Sequence, residues 1–311
     1  MYISDFFLSL PRLGNYGALC RGLGNSDRFV YEQMARRVLV AITAFVTICN
    51  TDSAPVGVSS FIELDLAVAS GAPGIEITAS EIVFENQLHV RHAEMLIEST
   101  IGATLSGGHQ TRLFFLENGT KLSLRGVGLE NGRASRCAGD LLECRAYGGA
   151  VFVSAGSELR LHSAQLFNNQ AHLRGGAIYA TSSTVTAIDC TMSSNIASWG
   201  GAVYLAHGST ATATDCTMAS NSASTGGVVS ADGDSTVTAT DCAMASNFAL
   251  WDGGVVSADG DSTVTVASCA MTSNFASWGG VVSAKGDSTV TTSNCTVRRG
   301  LRSSCSPLRR R

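Results

Sequence analysis

Charge, proline and long apolar runs are all scarce in this chain. Only 15% of its 311 residues are charged and four are proline. With 45% hydrophobic residues, so little charge is not the composition of a disordered polymer. No apolar stretch reaches the roughly 20 residues of a membrane-spanning helix. No stable transmembrane anchor is therefore evident, and no set of alternating porin-like strands follows. No Cys-x-x-Cys pair or histidine cluster offers a zinc site. Between Gly148 and Val297 the bases Arg160, Arg174 and Lys285 stand against ten acids. That balance predicts no nucleic-acid partner for this region.

Glycine is plentiful, at 33 residues, and much of it is periodic. Gly-Gly followed by two apolar residues begins at Gly148, Gly175, Gly200, Gly226, Gly253 and Gly279. A cysteine ladder runs through Cys190, Cys216, Cys242, Cys269 and Cys295, and an asparagine ladder through Asn169, Asn195, Asn221, Asn247 and Asn274. The three drift together around a spacing of 26 residues. One-residue differences must be absorbed in turns, because a slip inside a strand would flip every side chain. Within a repeat, Val255-Val256-Ser257-Ala258 is strand-like and Asp259-Gly260-Asp261-Ser262 is a turn. Thr263-Val264-Thr265-Val266-Ala267 alternates polar with apolar residues, as a half-buried strand does. A coil that returns to the same place every repeat pairs identical positions in parallel. The expectation is all-β: a single-stranded parallel β-helix (solenoid), roughly 26 residues per coil, with three short strands in each. Stacked Asn side chains would hydrogen-bond along the pile and satisfy turn amides. The five cysteines would be buried, unreactive thiols, whereas Cys137 and Cys144 are better disulfide candidates in a secreted protein.

Met34-Ala35-Arg36-Arg37 and the apolar run Val38–Cys49 have the pattern of a secretory signal, with cleavage near Cys49 or Ala54. The expected organisation is a non-native or disordered extension over 1–33 and a signal peptide over 34–54. Irregular early coils with a cap follow over 55–147, regular coils over 148–297, and a disordered basic tail over 298–311. The implied location is extracellular or on the cell surface.

Gly148-Gly149-Ala150-Val151, Gly175-Gly176-Ala177-Ile178 and Gly200-Gly201-Ala202-Val203 resemble the G-G-A-[ILV] motif of the polymorphic outer-membrane protein repeat. The later copies read Gly-Gly-Val-Val. The family's companion F-x-x-N has Leu166 before Asn169 and Met192, Met218, Met244 or Met271 before the later asparagines. The resemblance covers residues 148–297. It implies a right-handed, pectin-lyase-like β-helix, as in surface-exposed passengers and adhesins.

Two surface features are candidate sites. Tyr147, Trp199 and Trp278 directly precede Gly-Gly, and Trp251 lies one residue earlier. Aromatic rings along one edge either stack on sugars or shield the corner. Asp232, Asp234, Asp259, Asp261 and Asp287 occupy one turn on successive coils. They are either solvated turn acids or ligands of calcium held between coils, the one cofactor the sequence suggests. His162, His172 and His207 are isolated, and Asn50-Thr51-Asp52 matches a polygalacturonase motif only by coincidence. The preferred function is a non-catalytic binding or structural role, with glycans or cell-surface proteins as partners. The alternative is a carbohydrate-active enzyme, a lyase or hydrolase, with its site within residues 56–147.

Overall fold

Strands of three to five residues dominate the structure, because each β-branched run is stopped after a few positions by a turn residue that accepts positive φ. Ser182, Asp189, His207, Asp215, Asp234 and Asp241 all have φ near +50°, the left-handed region that short polar side chains tolerate best. The computed structural model describes residues 54–134 and 146–298. The expected extension, most of the signal segment, Cys137, Cys144 and residues 299–311 lie outside the described residues.

Three parallel sheets of ten, nine and eight strands carry the fold. The chain visits the eight-stranded sheet, then the ten-stranded and then the nine-stranded, before starting the next coil. Pairing holds one register over the regular coils. On the ten-stranded sheet Thr184, Thr210, Thr236, Thr263 and Thr289 form one column, and Thr186, Thr212, Thr238, Thr265 and Thr291 a second. On the nine-stranded sheet Leu166, Met192, Met218, Met244 and Met271 stack in turn. Coils begin well before Gly148: Leu88, Phe114 and Val151 share a column of the eight-stranded sheet.

The core lies inside the coils. Inward residues such as Val185, Val237, Val264, Leu159 and Leu122 are buried, while their neighbours on the strand face out. One position is underfilled. Ala211 occupies the column held by Val185 and Val237, and beside it lies a small apolar void of about 30 Å³.

The first coil is closed by a helix, α1, Phe61–Ser70. Ser60 caps it by accepting from the Glu63 N–H, while the Glu63 carboxylate accepts from the Ser59 N–H at 2.7 Å, a reciprocal cap. Gly71 ends it at φ 75°, in the left-handed conformation that favours glycine. Phe61, Leu64, Ala67 and Val68 are buried, and Phe61 meets Phe84 at 5.2 Å between ring centres. At the other end, Thr296–Arg298 is a strand paired to Ala270–Thr272. This corrects the boundary of the expected disordered tail, because Arg298 still has a backbone partner below it.

Candidate functional site

The asparagine ladder is a continuous amide chain. Asn221 Nδ2 donates to Asn247 Oδ1 at 3.1 Å and to the Met192 carbonyl at 2.9 Å. Its Oδ1 accepts from the backbone N–H and the Nδ2 of Asn195, each at 3.0 Å. The arrangement repeats from Asn169 to Asn274. Every buried donor and acceptor of the side chain is thus used.

The cysteine ladder is of free thiols, four buried and Cys295 partly so. Each Sγ sits against the carbonyl two residues back, as Cys242 does at 3.2 Å from Thr240. The Cys190 contact first, and burial with it, push the Cys216 thiol up to about 11; burial pushes Cys269 up to about 11. Thiols so shifted stay protonated and are poor nucleophiles.

The Gly-Gly corner uses its glycines differently. Gly200 has φ 64°. Gly201 has an ordinary φ, but a Cβ on it would overlap the carbonyl oxygen of Gly227 on the next coil. The first glycine turns the chain and the second lets coils approach.

The aromatic edge is not one continuous row. Tyr147, Arg174, Trp199 and Thr225 share a column, and Asp252 pairs with Trp278. Arg174 stands between the first two rings, 5.7 Å from the Tyr147 centre and 5.9 Å from Trp199. The guanidinium is closer still to Tyr204, at 4.7 Å. Thr225 and Asp252 then interrupt the rings. Trp251 and Trp278 make a separate pair, stacked at 6.0 Å and 49% and 60% exposed. Arg174 has no visible mark in the repeat; its place below Trp199 is set by register alone.

Behind this edge the outer surface of the eight-stranded sheet carries a second apolar cluster: Phe115, Phe152, Tyr179 and Tyr204, all buried. Their rings stack coil on coil at 4.8 to 5.6 Å. Arg112, only 4% exposed, covers one end, donating to the Tyr147 and Gly148 carbonyls and to Gln87. Burial, offset in part by Arg174, pushes the Tyr204 phenol up, and its hydroxyl donates to Asp232 at 2.9 Å.

The turn acids lie nearby on successive coils. Asp232 is engaged by Tyr204, and Asp259 accepts from its own Gly260 N–H at 2.8 Å. Lys285 takes the place of the first Asp in the last copy and reaches Asp252 at 2.7 Å. Asp234, Asp261 and Asp287 are exposed. Among the described residues no three His, Cys, Asp or Glu side chains converge as metal ligands. Among the isolated histidines, His162 ends a strand and lies 3.8 Å from Asp189. Arg160 pairs with Glu158 on its own strand, at 2.6 Å.

At the capped end, Asp65 of α1, Asn86, Gln87, His89, Arg91 and His92 line an open polar depression of about 560 Å³. Gln87 Nε2 and His89 Nε2 are 2.9 Å apart, and His89 Nδ1 is buried without a partner in the protein. The sequence marked residues 56–147 only as a region, because nothing in it places Asp65 of the cap helix beside the stretch 86–92 that supplies the other groups.

Residues 62–297 match the family described as the right handed beta helix region. The chain belongs to that family. Its three-sheet stack, coils of about 26 residues and right-handed winding are therefore those of a right-handed β-helix. No curated protein and no solved structure matches the chain. Among the described residues, no helix of this β-helix protein is long and apolar enough to cross a membrane.

Proposed function

We propose that this right-handed β-helix is a non-catalytic binding protein, secreted or displayed on a cell surface, that presents an aromatic edge to glycans. The observation that carries the reading is the Trp251–Trp278 pair: two large rings stacked on each other and about half exposed. Aromatic faces left in water on a rigid scaffold suit the apolar faces of sugar rings. The G-G-A-[ILV] corners and the apolar run before residue 54 support a surface or secreted location. Calcium between the turn acids, from Asp232 to Asp287, belongs to the same proposal, since stacked like charges repel by about 1 kcal/mol per pair in water.

A glycan-array screen of the full chain, with and without calcium, tests this. Binding that is lost in Trp251→Ala and Trp278→Ala, with the circular dichroism spectrum unchanged, supports the reading. Binding indifferent to both changes overturns the aromatic site. The polar depression at the capped end favours a second reading, a carbohydrate-active enzyme, because His89, Arg91, His92 and Asp65 meet there. Cleavage of a bound polysaccharide that disappears in His89→Ala would replace the binding reading with that one.

A further inference from the structure

The ten-stranded sheet carries a feature that the glycan reading does not use. On five successive coils its outward positions form a net of threonines, two columns wide and one residue per coil: Thr184 to Thr289, and Thr186 to Thr291. A third column adds Thr214 and Thr240. Register does not shift anywhere in this block. Threonines two apart on a strand are separated by about 6.6 Å, and those on adjacent coils by about 4.8 Å. The net is therefore nearly rectangular. Every threonine in the two full columns is exposed or half-exposed, and among the described residues none of their hydroxyls has a hydrogen-bond partner.

The usual explanation of solvent-facing threonine in a strand is β-propensity. It does not account for what is missing here. The same columns in the three preceding coils hold Glu94 and Glu98, Lys121 and Arg125, and Glu158, Arg160 and His162. From Thr184 onward no acid or base stands on the face; the acids Asp189, Asp215, Asp234 and Asp241 sit in the turns that border it. On the nine-stranded sheet the same coils break any hydroxyl net with Ala219, Ala243, Ala245 and Ala270. Charge removal and threonine repetition thus coincide on one face, over one block of coils.

We propose that this face binds ice. The prism faces of hexagonal ice repeat water oxygens on a rectangular net whose edges closely resemble the two threonine spacings. Each threonine offers a hydroxyl that joins such a net and a methyl that orders water beside it. β-Branching restricts χ1, so the groups are held before they meet the lattice and little entropy is lost on binding. Rings on the same coils repeat their orientation: Tyr179 lies 6° from parallel with Tyr204, and Phe248 6° from parallel with Phe275. A charged side chain would hold its own hydration shell and interrupt the ordered layer, which gives the charge-free face a reason.

The test uses the full chain. Its partitioning into slowly growing ice and its thermal hysteresis are measured beside Thr212→Lys and Thr238→Lys, in the middle of the net, and Thr217→Lys, exposed on the nine-stranded sheet. Circular dichroism follows folding. The proposal expects the parent chain to be enriched in ice and to depress freezing, both net variants to lose most of that activity, and Thr217→Lys to keep it. If a lysine variant fails to fold, the milder T212S/T238S pair, which removes only methyls, should still weaken ice adsorption. Exclusion of the parent chain from ice overturns the proposal. So does equal loss in Thr217→Lys, or retention of a crystalline polysaccharide by the face with no effect on ice.

Discussion

A buried amide in this fold is satisfied only through the coil above and the coil below, so a single side chain supports three coils. Asn221→Ala shows what that means. The change removes the acceptor for the Asn195 backbone N–H and Nδ2, and the donor for the Met192 carbonyl. Each buried group left unsatisfied costs about 1–3 kcal/mol, so a loss of roughly 4 kcal/mol is expected from urea unfolding. An effect under 1 kcal/mol would mean that water replaces the amide. The opposite case is Ala211→Val. The void beside Ala211 is about 30 Å³, and valine already fills this column on the coils before and after. The substitution should stabilise by about 1 kcal/mol, read as a higher melting temperature. A decrease would show that the surrounding methionines already occupy the space on average.

At the scale of elements, the corner sets how closely coils can pack. Gly201→Ala and Gly280→Ala change the same motif position. The first would drive a Cβ into the Gly227 carbonyl oxygen; the second meets nothing within 4 Å. Gly201→Ala should cost roughly 3 kcal/mol, the upper range for overpacking, and Gly280→Ala close to nothing. Equal melting temperatures for the two variants would contradict coil contact as the reason for the second glycine. The ladders of Gly, Asn and Cys were legible in the sequence because stacking forces identical residues onto one spacing. The cap helix was not, although Ser60 and Glu63 have capping-box spacing. Ile62, Leu66 and Ala69 surround its buried face with further apolar residues, so no clean helical stripe appears. The column Phe115, Phe152, Tyr179 and Tyr204 was hidden for another reason. Phe115 and Phe152 pair across 37 residues, well off the 26-residue spacing of the regular coils. Arg174 and the polar depression likewise exist only once register and corner geometry are known.

For the whole molecule, stability is close to a sum over coils and their nearest neighbours, and that has a sharp consequence for length. Thr210 and Thr236 are paired residues on adjacent coils, 26 positions apart. Deleting residues 210–235 joins Ser209 to Thr236, and Ser235 is the residue that Ser209 matches one coil later. One coil disappears, and the strands on either side still meet in register. Such a chain should fold with the same circular dichroism spectrum and a modestly lower melting temperature. Deleting 211–235 instead places Thr236 after Thr210, one position late. A one-residue slip turns Val237 outward and Thr238 inward, so this shorter deletion should be far the more damaging. If both deletions unfold equally, the coils are not independent units and stability must come from a structure that spans them. If both fold, turns can absorb a residue more freely than the unbroken register of the threonine columns implies. The ordered outcome, 26 tolerated and 25 not, would show that the repeat length itself is under physical constraint, as expected where every coil is the template for the next.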